Sequence, residues 1–485
     1  MTRQRCYYDT FDWRLYRNGY VLETDAEGSL LGRLRTLGAR GDQITTSLQA
    51  EPDFARNYGQ DTELREYLGQ YIAMRRLLCQ AQIRVSSEPY AVMDQGGKVL
   101  LRLELEKFQR PDRRGHLRTA LVNCRFQPLT GYQKICQRLL ELANAESGPD
   151  VSGDPFLWLL AMERKQPGGY SSKFNLVFTP ELNIAQVLAQ TLLFHLNVLD
   201  NNVAGICADL DTEFLHDFRI ANRRSRTLVT QIKQVLPPLQ DRQYKDIFSW
   251  LSNETSEHRD LDVFLLDIPR HQTMLPGRMR GGLEPLRLNL EEKRRKIHER
   301  VVKVINSEKF RLFAAGYRTY LNRGSRNHFQ TSTGAKPVLA VANQAIWRVY
   351  EKMLKQGRQA SQSGDRDTLH ALRKTAKKLR YLLETFRSLY PREDMDAVIM
   401  HCRKLQNILG QIVDSRVQQD YLHGLTGVAD PAEALPPATL ACIHYLIGAY
   451  QVLEIKAYAK FSGRYERFAE AGTRALFKKL FLAAG

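Results

Sequence analysis

Apolar and polar positions along this chain change rhythm once, near residue 150. Before that point short alternating runs predominate, in GYVLET, GRLRTL, QIRVSS, YAVMD and KVLLRLELEKF. Such period-two runs, rich in branched residues and bounded by polar breaks, predict strands. MDQGGKV predicts a hairpin, because Gly96 and Gly97 can adopt positive φ between two strands. Helical periodicity is interspersed, in DTELREYLGQYIAMRRLLCQ and GYQKICQRLLELANA. NAESGPDVSGD, rich in Gly, Ser, Asp and Pro, predicts the exit from this first domain.

After it, the apolar spacing is almost wholly helical. Helices are expected around residues 181–205, 212–236, 239–258, 283–305, 338–358, 366–389, 394–420 and 436–461. Breaks fall at Pro237–Pro238, Pro269, Pro276, Gly324, Gly334, Pro391 and Pro436–Pro437. The expected architecture is an antiparallel α+β domain over residues 1–145, a linker over 146–174 and an all-α domain over 175–475.

The helical half repeats itself. EFLHDFRIANRRSR begins at Glu213, and DTLHALRKTAKKLR begins at Asp367. His216, Arg219, Arg223, Arg224 and Arg226 correspond to His370, Arg373, Lys377, Lys378 and Arg380, every pair 154 positions apart. The same offset relates Leu251 to Leu405, Asp260 to Asp414 and Val263 to Val417. One register held across two helices predicts a duplicated four-helix unit, about 181–325 and 335–475, with the halves in pseudo-twofold relation.

Charge gives the repeat its meaning. The 485 residues carry 71 Lys and Arg against 53 Asp and Glu, a net charge of +18. That excess favours polyanionic partners: nucleic acid, an anionic membrane or another phosphate-rich molecule. Seven scattered cysteines without a CxxC pair predict reduced thiols, with neither a disulfide framework nor a zinc site. MTRQRCYYDT lacks the apolar core of a signal peptide. No run approaches the ~20 apolar residues of a membrane span, and LACIHYLIGAY is short and contains His444. A cytoplasmic location with no membrane partner is expected.

Positions i, i+3, i+7 and i+10 of a helix fall within an arc of roughly 80°. His216, Arg219, Arg223 and Arg226 therefore form one stripe; His370, Arg373, Lys377 and Arg380 form another. Arg224 and Lys378 flank them. Like charges one turn apart oppose helix formation by tenths of a kcal/mol per pair. Their repetition in two matched stripes points to a counter-anion, the alternative being a solvated face paired with Glu254, Glu257 or Glu384. Arginine holds phosphate oxygens bidentately and lysine acts as a point charge, so facing stripes suit a repeating phosphate chain. Neither histidine has a second ligand at a metal-binding spacing, and no metal is expected there.

EFLHDFRIANRRSR with HRDLDVFL, and LHALRKTAKKLRYLLE with LQNILGQIVDS, resemble the two halves of the CHAD domain, over roughly residues 175–475. The resemblance implies two four-helix bundles around a polyphosphate-binding surface, and carries that role to the ten residues of the two motifs. YYDTFDWRLYRNGYVL and YAVMDQGGKVLLRLELEK resemble strands of the CYTH, or triphosphate tunnel, fold. CYTH enzymes act on triphosphorylated substrates with basic residues and metal-binding carboxylates, and normally open with an E-x-E-x-K strand. Here MTRQRCYYDT stands where that strand should have passed, and Glu23 and Asp25 stand where the family has a basic strand. LELEKF offers Glu104, Glu106 and Lys107 only at the other end of the domain.

The leading expectation is therefore a binding protein for inorganic polyphosphate with no cofactor and no catalytic residues, its N-terminal domain a degenerate tunnel fold. Such a protein could associate with polyphosphate granules. The alternative is a triphosphatase or polyphosphatase in which the N-terminal domain uses Mg or Mn. Nucleic acid is a weaker partner, because no aromatic residues interleave the basic motifs for base stacking. Chain-length preference and oligomeric state are not encoded in any pattern here.

Overall fold

The computed structural model describes residues 2–27, 29–38, 42–55, 62–112, 114–146, 154–426 and 435–482. The chain divides into two compact units, Met1–Ser172 and Lys173–Gly485.

The first unit is built on a seven-stranded antiparallel sheet in the order β4-β3-β2-β1-β5-β6-β7. Its strands are β1 (Thr2–Thr10), β2 (Tyr20–Glu27), β3 (Ser29–Thr36), β4 (Asp42–Leu48), β5 (Leu77–Met93), β6 (Val99–Pro111) and β7 (Leu117–Pro128). The segments QIRVSS and YAVMD, separate runs in the sequence pattern, are one continuous β5. The predicted hairpin joins β5 to β6: Gly97 has φ +81°, and the Asp94 carboxylate accepts from the backbone N–H of Gly96 and Lys98. Helices α1 (Arg14–Arg17), α2 (Thr62–Ile72), α3 (Gln133–Glu146) and α4 (Pro155–Met162) complete the unit. The helix expected over 61–80 stops at Ile72, and Leu77 already belongs to β5.

The linker expected over 146–174 is in part folded. Residues 147–153 lie outside the described ones. Asp154 then caps α4, its carboxylate accepting from the Phe156 N–H. Phe156, Leu159 and Leu160 are buried with Tyr7, Val85 and Phe108 of the sheet. FLWLL reads as an apolar run with no polar face because the sheet covers it.

The second unit is helical and duplicated throughout. Helices α5 (Ile184–Cys207), α6 (Thr212–Gln231) and α7 (Pro238–Glu254) reappear 154 positions on as α12 (Val338–Ser363), α13 (Arg366–Thr385) and the start of α14 (Arg392–Thr426). After α7 come α8 (Ser256–Leu266), α9 (Ile268–Met274), α10 (Glu284–Ile305) and α11 (Glu308–Asn327). The corresponding end of the chain folds as α15 (Pro437–Ala459), α16 (Phe461–Ala469) and α17 (Ala471–Phe481). Ends match as well as starts: Gln231 answers Thr385, Ile305 answers Ala459 and Asn327 answers Phe481.

Each half buries its apolar stripes as a bundle. In the first, α5 and α6 pack together with α7 and α11, and Phe218 meets Phe310 while Tyr244 and Phe248 meet Tyr317. In the second, α12, α13 and α14 pack with α16 and α17, and the Tyr350 ring stacks on Phe477 at 3.8 Å. The halves differ in where their helices break: α11 is continuous where the second half splits into α16 and α17 at Glu470. The first half breaks at Thr255, between α7 and α8, where the second continues through Leu409 as the 35-residue α14.

Helix α11 lies outside the helices expected from the sequence pattern. It holds two glycines, and Gly324 is required there because a Cβ would lie 1.8 Å from the Phe329 ring. The segment 437–469 is the one stretch among the described residues long and apolar enough for a membrane span by length and composition, contrary to the expectation from LACIHYLIGAY. It packs on α14, with Cys442, Ile443, Leu446, Ile447 and Tyr450 buried.

Candidate polyanion site

The basic motifs lie on α6 and α13, and their starts are set by matched caps. Asp211 accepts from the Glu213 and Phe214 N–H groups, and Asp365, 154 positions later, accepts from Thr368 N–H. Cap side chains that satisfy first-turn donors fix where a helix begins. The two stripes therefore start in the same phase, and α6 and α13 meet each other across the junction of the halves.

A cavity of about 1150 Å³ opens at that junction. Helix α6 contributes His216, Arg219 and Arg223; α13 contributes Arg373 and Lys377. Four further cations come from elsewhere: Arg259 on α8, Arg270 on α9, and Lys456 and Lys460 at the end of α15. Three carboxylates share the lining, Asp260, Asp267 and Asp414. Eight Lys and Arg side chains against three Asp leave a formal excess of five positive charges, before His216 is counted.

Crowding and burial leave these cations short of counter-charge. Burial first, then the Arg373 and Arg223 guanidiniums, push the Lys377 ammonium down to about 8. Burial also lowers Arg219 to about 10, with Arg223 and Arg259 adding to the effect against the pull of Asp260. Arg219 is held by a 2.9 Å hydrogen bond to the Ser252 carbonyl and one of 2.6 Å to the Thr255 hydroxyl. Those acceptors orient the guanidinium without neutralising it. Arg373 donates to Asp414 at 2.7 Å, while its buried Nε has no partner.

The other members of the predicted set lie outside the cavity lining. Arg224 pairs with Glu384 at 3.0 Å, and Arg380 and Arg403 reach the same carboxylate at 3.5 and 3.3 Å. The guanidiniums of Arg223, Arg224 and Arg380 lie 5.5–5.7 Å from the centroid of Tyr381. A cation over an aromatic face is attracted by its quadrupole. Arg224 thus ties α6 to α13 through Glu384, and Arg380 pairs with the same carboxylate along its own helix, as the solvated-face alternative with Glu384 expected. Glu257, another carboxylate named there, pairs instead with Lys293 and Arg300. Arg226 is exposed, Lys378 is held down by burial and then by Lys352 and Arg226, and His370 by burial and then Lys374.

Arg259 lines the cavity while donating to the Thr212 carbonyl at 3.2 Å. Lys456 and Lys460 had no signal beyond their i, i+4 spacing on an apolar helix. The basic run from Lys293 to Lys303 is an exposed face: Arg295 pairs with Glu292 and Glu299, and Lys296 with Glu292.

In the first unit the charged residues face one another. The sheet register sets Arg5 across from Asp25 and Glu23 across from Arg33. Arg5 donates to Asp25 at 2.8 and 3.0 Å and to Glu106 at 2.7 Å; Arg3 reaches Glu106 at 2.8 Å and Glu104 at 3.2 Å. Arg35 holds Glu23 and Asp154. The carboxylates Glu104 and Glu106, which a metal site would need, are thus engaged by arginines. Among the described residues no group of three or more His, Cys, Asp or Glu side chains is placed to hold a metal ion.

A duplicated all-helical module with a basic cavity where its two halves meet defines the class of this unit. Residues 190–423 match the family model of the CHAD domain, and the chain carries that domain. The chain is also similar to the crystal structure of the CHAD domain from the plant Ricinus communis. The identity is 20% and the TM-score 0.52, with 61% of this chain and 97% of that chain covered. No curated protein matches the chain. The N-terminal antiparallel sheet is consistent with a CYTH-like fold.

Proposed function

We propose that the helical unit binds inorganic polyphosphate, or a polyanion of the same repeating-phosphate chemistry, in the cavity between its two halves. One observation carries the reading: Arg219, Arg223, Arg373 and Lys377, distant in sequence, converge on one cavity with an excess of unneutralised charge. A phosphate chain supplies oxygens at short, regular intervals, so successive phosphates can accept from successive cations. Arginine forks give charge-assisted, bidentate hydrogen bonds, which are stronger than neutral ones. The partly buried setting reduces solvent screening of these contacts relative to an exposed patch.

The chain acts in this reading as a binding module, with the N-terminal sheet as scaffold. Its location would follow the ligand, in cytoplasmic polyphosphate granules. Binding of long-chain polyphosphate to the full chain and to an Arg219→Glu, Arg373→Glu variant tests the site, after circular dichroism shows both folded. The expected result is tight wild-type binding that weakens with salt and collapses in the variant. By analogy with single-stranded nucleic acid, neutralising about six phosphates gives a log–log salt slope near −4. Equal affinity of the two proteins would remove the cavity from consideration. Competition by DNA or RNA of equal charge separates polyphosphate from nucleic acid as the preferred ligand.

A further inference from the structure

The cavity that gathers cations also contains carboxylates placed by the duplication. Asp260 on α8 and Asp414 on α14 are 154 positions apart, as are Arg219 and Arg373. Asp414 accepts from Arg373 Nη2 at 2.7 Å, and it also supports the charge of Lys377. Asp260 supports the charge of Arg219, and both line the cavity. In the second half Asp414 is ion-paired with Arg373, while in the first half Asp260 shares the cavity lining with Arg219, whose hydrogen bonds go to Ser252 and Thr255. A purely structural ion pair would be expected away from the opening, yet the Asp414 side chain is 65% exposed.

We propose that Asp414, which occupies Arg373, and Asp260, which shares the cavity lining with Arg219, are built-in anions that compete with the incoming phosphate chain for the stripe arginines. The proposal rests on the polyanion reading above and adds a rule for affinity at that site. Asp414 is an acceptor tethered beside Arg373, so its effective concentration there is high. A lone small anion gains little by displacing it. A chain of phosphates also engages Arg223, Lys377 and the other cavity cations, and displaces the aspartates by its summed contacts. The carboxylates also repel the ligand at short range, which keeps a strongly basic cavity reversible. Ion pairs open to solvent are weak, so this competition lowers affinity without abolishing it.

The opposite role is chemically distinct. Aspartates that merely position the arginines would weaken binding when lost. Aspartates that ligate a Mg ion carried by the phosphate chain, as carboxylates do in phosphate sites, would weaken it only when Mg is present.

The experiment is isothermal titration of the full chain with tripolyphosphate and with long-chain polyphosphate, each with EDTA and with Mg. The proteins are wild type, Asp414→Asn, Asp260→Asn with Asp414→Asn, and the Arg219→Glu, Arg373→Glu control. Asparagine keeps the shape and removes the charge. Competition predicts binding roughly 3- to 10-fold tighter in the double variant, in EDTA and in Mg alike. Unchanged affinity overturns the proposal, and so does weaker binding in either medium. If wild type does not bind, or the arginine control binds equally well, the site reading itself fails, a result separate from any effect of the aspartates. Should the double variant misfold, Asp414→Asn alone, at an exposed position, decides the question by the same criterion.

Discussion

Gln406 donates a 2.5 Å hydrogen bond from its side-chain amide to the Ala376 carbonyl. Ala376 stands 154 positions after Asn222, and Gln406 stands 154 after Ser252. In the first half it is Asn222 on α6 that donates, to the Ser252 hydroxyl at 2.8 Å and the Phe248 carbonyl at 2.9 Å. The seam between equivalent helices is thus fastened in both halves, with the donor moved from one helix to its partner. The duplication has kept the contact and exchanged the residue that makes it.

Replacing Asn222 by Ala removes both bonds from a buried position. A net hydrogen bond contributes about 0.5–1.5 kcal/mol, so a loss of ~1–3 kcal/mol is expected. Urea unfolding monitored by circular dichroism reads it directly. A stability unchanged from wild type would show that the seam is held by apolar packing alone.

Arg5 is fully buried among Asp25, Glu23 and Glu106. Removing one partner of such a pair leaves uncompensated buried charge, which typically costs about 3–5 kcal/mol. Arg5→Met is expected to loosen the sheet, seen as faster amide exchange in β1, β2 and β6 with the exchange of α5 and α12 unaltered. Adding Glu106→Gln to Arg5→Met should restore part of the protection, because it removes the stranded carboxylate.

Lys377 titrates near 8 in the empty cavity, because burial and the Arg373 and Arg223 guanidiniums oppose its charge. A bound polyanion favours the charged form and raises that value. Affinity is then greatest below pH 8 and declines as pH rises through 8 toward the higher value of the complex. Titrations from pH 7 to 9.5 should show that decline, with proton uptake on binding above pH 8. Lys377→Arg should flatten the profile, since arginine stays charged throughout.

His195 and His271 are buried and neutral, desolvation lowering them to about 3 and about 4. His195 Nδ1 lies 3.3 Å from the Ser225 hydroxyl, and His271 Nε2 lies 2.7 Å from the Tyr450 hydroxyl. Both folded values lie below the ordinary histidine value, so the unfolded chain binds more protons as pH falls. Stability is therefore fully present above pH 6.5 and is lost as pH drops toward 4, each group contributing up to ~1.4 kcal/mol per pH unit. Unfolding midpoints across pH 7 to 4.5 should fall less steeply for His195→Gln than for wild type.

The duplicated bundles are legible in the amino-acid sequence. The helix period and the Pro and Gly breaks act within a turn or two of the chain, and the 154-residue offset repeats them, so together they predict the bundles. Helix α11 escapes because its glycines and aromatics make a poor helix in isolation; Tyr317 and Gly324 gain their sense only from Tyr244 and Phe329. In the same way FLWLL looks like the end of a linker until the sheet supplies Tyr7 and Phe108 to bury it.

The sequence by itself determined which cations recur and in what phase, since a helical stripe follows from the period of the backbone. Only the tertiary structure decided which of them share a cavity. Arg219, Arg223, Arg373 and Lys377 line it with Arg259, Arg270, Lys456 and Lys460, while Arg224 and Arg380 turn to Glu384. That division depends on how α6 packs on α13 and α8. Such a meeting is fixed by packing between residues far apart in the chain, and no local pattern records it.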